Sequence, residues 1–137
     1  MVAVPDDALV VRGGDPHDPE RLKDMVEQAE RAHRRGLGYA LSVFAGHDPA
    51  LSREDAIRRI AAVRPIPNRK IAVTTAAQLI GIHCELGPDG PLPGHVRVVL
   101  GSEPDPGRVQ DFIGAFGPAE NNPASRQTRR GGDDDPY

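Results

Sequence analysis

The stretch Ala8-Leu9-Val10-Val11-Arg12-Gly13-Gly14, followed by Asp15-Pro16-His17-Asp18-Pro19, decides how the chain is to be read. Four apolar residues, two of them β-branched, closed by paired glycines, predict a short buried strand over 8–11. The two prolines that follow make a polar loop. Within it Asp18 is placed as an N-cap, with Pro19 at the first helical position, where its missing N–H costs nothing. From residue 20 to 35 the apolar residues are Leu22, Met25, Val26, Ala29 and Ala32. They form one face of an amphipathic helix, which Gly36 stops.

The same alternation continues outward. Residues 39–45 (YALSVFA) are nearly all apolar and rich in strand formers, which predicts a second buried strand. Ser42 and Phe44 fall on one of its faces, and Tyr39, Leu41 and Val43 on the other. Ser52 caps a second helix with Asp55 in the capping-box position, and Ala56, Ile57, Ile60 and Ala61 form its buried face. Arg64-Pro65 ends it. Residues 70–75 (KIAVTT) read as a third strand, while 76–82 read equally as a short helix begun by Thr75 or as more of that strand. The Pro- and Gly-rich segment 87–94 reads as an exposed loop. Residues 95–100 (HVRVVL) alternate as a half-buried strand. Asp105 and Pro106 open a last helix with Val109, Phe112, Ile113 and Phe116 on one face, terminated by Gly117-Pro118. The expected architecture is a single small α+β or α/β domain over residues 1–120. It has about four short strands and three to four amphipathic helices in the order β-α-β-α-β-(α)-β-α. Residues 121–137, nearly without apolar content, are expected to form a disordered polar tail.

Composition narrows the class. The chain has 137 residues, 38% of them hydrophobic, with 15 glycines and 14 prolines. That mix excludes a long coiled coil or a large helical bundle. No run approaches the ~18 consecutive apolar residues of a membrane span. No basic segment precedes an apolar run at the start, so no secretory signal is expected. A single Cys84 leaves no internal disulfide framework and fits a reducing cytoplasm. The net charge of −3 gives no bulk attraction for nucleic acid, and 4% aromatics provide no stacking platform for single strands.

Arg12-Gly13-Gly14 is the first candidate ligand-binding feature. A guanidinium at a strand end suits phosphate or carboxylate, and paired glycines allow close approach to the backbone. There is neither a G-x-x-x-x-G-K-[ST] nor a G-x-G-x-x-G pattern, so ATPase and Rossmann readings have no support. Ser42, in an apolar strand, either hydrogen-bonds locally or faces a cleft. Asp15, His17 and Asp18 have the residue types of metal ligands, but Asp18 is already a cap and the other histidines are isolated, so no metal site is expected. Cys84 beside His83 reads as a small buried hydrophobe, because neighbours on a strand point to opposite faces. The basic pairs Arg34-Arg35, Arg58-Arg59 and Arg129-Arg130 read as solvated charge.

Taken together, DALVVRGG, a helix, GYALSVFAG, KIAVTT and the closing FIGAFGPAENNP resemble a group of uncharacterised small proteins of high-GC bacteria, over residues 5–123. Proteins of that kind look like accessory or toxin-like products of mobile and defence loci. The strand-borne Arg12 and Ser42 also resemble the ADP-ribosyltransferase-type toxins. There, a first-strand arginine holds the dinucleotide, a serine on a later strand supports it, and a glutamate completes catalysis. The resemblance implies NAD as cofactor, Arg12 and Ser42 in the first two roles, and Glu85 or Glu103 in the third. The chain departs from that pattern in lacking an E-x-E or Q-x-E context at either glutamate and an evident aromatic clamp. Two functions are therefore expected. One is a small cytoplasmic interaction or accessory protein, or a toxin–antitoxin-like component, engaging a protein partner through an edge strand or its tail. The other is an NAD-binding toxin.

Overall fold

The computed structural model describes residues 5–48, 50–63, 65–90 and 94–124. The elements are β1 (Leu9–Gly13), α1 (Pro19–Arg34), β2 (Tyr39–Gly46), α2 (Arg53–Val63), β3 (Lys70–Thr75), α3 (Ala76–Gly81), β4 (Glu85–Pro88), β5 (His95–Gly101), α4 (Pro106–Gly114) and β6 (Glu120–Asn121). The strands form one sheet in the order β4-β5-β2-β1-β3-β6, and every pairing is antiparallel. This is an α+β domain with six strands and four helices. Antiparallel pairing sets aside the α/β alternative, whose crossovers make parallel strands.

The expected count of about four strands is corrected to six. β4 comes partly from the segment expected to be a loop. Its sequence, ELGP, has little strand propensity, but β5 offers it a ladder in which Leu86 pairs with Val98 and Gly87 with Arg97. Proline is tolerated there because the strand lies at the sheet edge. β6 pairs Lys70 with Asn121 and Ile71 with Glu120. Asn122 just beyond it is fully buried and fastened to the connector before β3, its Nδ2 donating to the carbonyls of Ile66 and Asn68. The ordered chain therefore continues past residue 120. The rest of the expected tail, from 125, lies outside the described residues. The first strand also runs further than the 8–11 expected. Arg12 pairs with Ala72 and Gly13 with Ile71, so the glycine continues the strand instead of stopping it.

Two cores lie on opposite faces of the sheet. On one, Val10, Tyr39, Leu41, Val43, Val96, Val98 and Leu100 meet Met25 and Ala29 of α1, Leu79 of α3 and Phe112 of α4. On the other, Val11, Ile71 and Val73 meet Ile57 and Ile60 of α2. The helix starts follow the expected chemistry. Asp18 accepts from the Glu20 N–H, Thr75 and Gln78 form a reciprocal capping box, and Asp105 accepts from the Gly107 N–H. The capping box resolves 76–82 as a helix. His83 follows it in a turn at φ 68°, so His83 and Cys84 do not sit on a strand as expected.

Two glycine substitutions separate close packing from open space. A Cβ on Gly46 would lie 2.7 Å from Cγ1 of Ile60. Gly46→Ala is expected to lose about 1–3 kcal/mol of unfolding free energy. Gly81, with nothing within 4 Å of such a Cβ, is expected to gain about 0.5–1 kcal/mol as Gly81→Ala, by urea denaturation.

Candidate functional site

β1 and β2 pair only through Leu9–Gly46, Val10–Ala45 and Val11–Phe44. The same register carried on would set Gly13 opposite Ser42, but β1 instead stays with β3. The Arg12 side chain fills the fork. Its Nη1 donates to the Ser42 carbonyl at 2.7 Å and its Nη2 to Gln28 Oε1 on α1 at 3.1 Å. The guanidinium carbon lies 5.9 Å from the centre of the Phe112 ring. Burial, with the charge of Arg21 added, pulls the Arg12 guanidinium down to about 10, so it stays charged at neutral pH. The structure thus brings Arg12 and Ser42 together through the serine's main chain.

The Ser42 side chain points to the face of the sheet that α2 covers over β1 and β3. Beyond α2 this face is open, and on β5 its residues His95, Arg97 and Val99 are only half-buried. Ser42 stands opposite Arg97 and Phe44 opposite His95. Phe44 and His95 stack, with ring centroids 5.8 Å apart. Asp89, just past β4, gathers the polar ends. It accepts from Ser42 Oγ at 2.6 Å and from Arg97 Nη2 at 3.0 Å, and lies 3.5 Å from His95 Nε2. Burial raises the Asp89 carboxyl, but the bonds from Ser42 and Arg97 and the charges of His95 and Arg97 outweigh it and hold the group below its ordinary value.

Gln28 and Arg31 of α1 and Arg35, which caps it, with Ser42, Asp89 and Arg97, line one cleft of about 200 Å³. Three of the lining side chains are guanidinium cations and one, Asp89, is a carboxylate. The Ser42 hydroxyl donates its hydrogen bond to a carboxylate held below its ordinary value, a poor base, with no histidine between the two. Neither glutamate proposed for catalysis lines the cleft. Glu85 is exposed on β4, and Glu103 is 84% exposed beside His33. Gly13 and Gly14 serve the fold. A Cβ on Gly13 would collide with the Asn68 side chain, and Gly14 has φ +88° with Arg21 against it. Asp15 accepts from the His17 N–H, while His17 Nε2 meets the Gly117 carbonyl. Among the described residues no three His, Cys, Asp or Glu side chains gather as metal ligands. Cys84 is buried beside Arg108, and burial pushes its thiol up.

Sequence reasoning missed Gln28, Arg31, Arg35, Asp89 and Arg97. The first three share one helix face by their spacing of three and four, and Arg97 follows His95 at strand spacing. Asp89, inside a Pro- and Gly-rich segment, carried no such signal. A carboxyl depressed in the folded state contributes stability above its unfolded value, and loses that contribution as pH falls through the folded value. The stability difference between wild type and Asp89→Asn is therefore expected to be full at neutral pH and to shrink below about pH 4, in urea titrations across pH. A difference constant with pH would remove Asp89 from the acid response. No family model, no curated protein and no solved structure matches this chain.

Proposed function

We propose that this chain acts by binding a partner, as a small cytoplasmic interaction or accessory protein of the kind found in toxin–antitoxin-like or mobile-element loci. The observation that carries this reading is the engagement of Arg12 and Ser42 with the protein itself. Arg12 donates to the Ser42 carbonyl and to Gln28, and the Ser42 hydroxyl donates a hydrogen bond to Asp89. To grip a pyrophosphate, Arg12 would have to abandon a main-chain acceptor, at a cost of roughly 1–3 kcal/mol if the carbonyl stays unpaired. The cleft of about 200 Å³ also falls below the ~300–1,000 Å³ of pockets that enclose a drug-sized ligand, and a dinucleotide is larger than most of those.

The surface suited to a protein partner is the outer edge of β4. Among the described residues that strand pairs only with β5, so its other edge can take an added strand by main-chain hydrogen bonding. The expected partner is thus another polypeptide, with no membrane involved. No helix among the described residues is long and apolar enough to cross one.

The alternative, an NAD-using toxin, is tested by induced expression of wild type, Arg12→Gln and Ser42→Ala in a bacterial host at matched soluble levels, with cellular NAD assayed. The expected result is undisturbed growth and unchanged NAD for all three, with Arg12→Gln lowering the midpoint of thermal unfolding. Growth arrest and NAD loss with wild type, relieved in a soluble and folded Arg12→Gln, would replace the binding reading with the enzymatic one.

A further inference from the structure

We propose that the cleft between α1 and the β2–β5 ladder binds a phosphate monoester group, the chemistry shared by a phosphorylated small molecule and a phosphorylated side chain of a partner. The proposal rests on the reading of the chain as a binding module and names what that module recognises.

The chain as a whole carries a net charge of −3, yet the cleft is cationic. Arg31, Arg35 and Arg97 line it against a single carboxylate, Asp89. Asp89 is paired with Arg97, which leaves the charges of Arg31 and Arg35 in excess. Some helix arginines of this protein have acidic partners, whereas Arg21 and Arg34 of α1, like Arg31, show none within 4 Å among the described residues. Arg58 meets Glu54 and Asp55, and Arg108 meets Asp111. Among the described residues Arg31 and Arg35 have no carboxylate within 4 Å, although they stand one turn apart at the end of α1. Like charges so placed oppose each other.

Two further groups, Arg12 behind the cleft wall and Gln28 within it, favour an anion. Arg12, half-buried behind Ser42 and Gln28, is a cation whose partners, the Ser42 carbonyl and Gln28 Oε1, are both uncharged. An anion in the cleft would place an opposite charge on the far side of those two residues. Because the Gln28 oxygen faces Arg12, its amide nitrogen keeps two N–H donors for a ligand in the cleft that Gln28 lines. Donors therefore come from two sides, α1 and β5. A planar carboxylate is satisfied by one guanidinium fork, whereas a phosphate monoester offers three terminal oxygens in a tetrahedral array and uses donors from both sides. The cleft has room for the phosphate group and a few atoms of what carries it.

The test is a nuclear magnetic resonance titration of the full chain, following the arginine Nε–H and the Gln28 side-chain amide signals. The probes are inorganic phosphate, ribose 5-phosphate, and a phosphoserine peptide beside its unphosphorylated twin, with sodium chloride at matched ionic strength as control. Saturable shifts at Arg31, Arg35, Arg97 and Gln28 are expected with the phosphate-bearing probes alone. In a folded Arg31→Gln/Arg35→Gln variant, affinity should fall about tenfold or more, the loss of at least one charge-assisted hydrogen bond. Tighter binding of ribose 5-phosphate than of the peptide assigns the group to a small molecule, and the reverse assigns it to a protein partner. Linear shifts reproduced by chloride, or equal affinity in the double variant, would overturn the site. Either failure leaves the interaction reading standing, since that reading falls only to NAD consumption.

Discussion

Strand β1 has to bury both of its faces, and the architecture follows from that requirement. Val10 and Val11 are each 0% exposed, one in the core under α1, α3 and α4, the other in the core under α2. A strand buried on both sides must also satisfy its backbone on both edges, which places it between β2 and β3. The smaller core, built on Val11, Ile57, Ile60, Ile71 and Val73, covers only the β1–β3 side. It leaves the β5 side of that face half-exposed, which is why polar residues gather there.

Arg12 sits where the demands of folding and of binding meet. Once β1 leaves β2 after Val11, the fork exposes main-chain acceptors on β2 that water or a side chain must satisfy. A guanidinium does so across a gap that a shorter side chain could not span. The solution introduces a positive charge with no carboxylate to oppose it. The fold therefore keeps the Arg12 cation behind Gln28 and Ser42, whose oxygens it holds. The Asp89 carboxylate works in the other direction, drawing Arg97, Ser42 and His95 into one cluster and fixing the end of β4 against β5.

Most of the helices and central strands were legible because their signals are local. The apolar face of α1, the Asp18 and Asp105 caps and the KIAVTT strand all depend on residues close in sequence, and each appears where periodicity and capping place it. The edge strands were not legible, because ELGP and Glu120-Asn121 become strands only through the ladders that β5 and β3 offer. Arg12 and Ser42 were singled out as a pair, and the structure joins them, but by a main-chain contact that no side-chain pattern encodes. Glu85 and Glu103 rested on the toxin resemblance, with no E-x-E or Q-x-E context beside them. Nothing local revealed that Asp89, from an irregular loop, would be the carboxylate at the cleft.

The pairing of Ser42 with Arg97 also orders events in time. During synthesis β1, α1, β2, α2 and β3 emerge before any residue of β5, and β1 already has both of its sheet neighbours once β3 is made. Until β5 follows, the β5-facing edge of β2 is bare, and Ser42 has neither its strand partner nor the Asp89 clamp. Phe112, against which Arg12 rests, arrives later still. Arg31 and Arg35 are thus made well before Arg97, and a chain that stops short of β5 lacks one wall of the cleft.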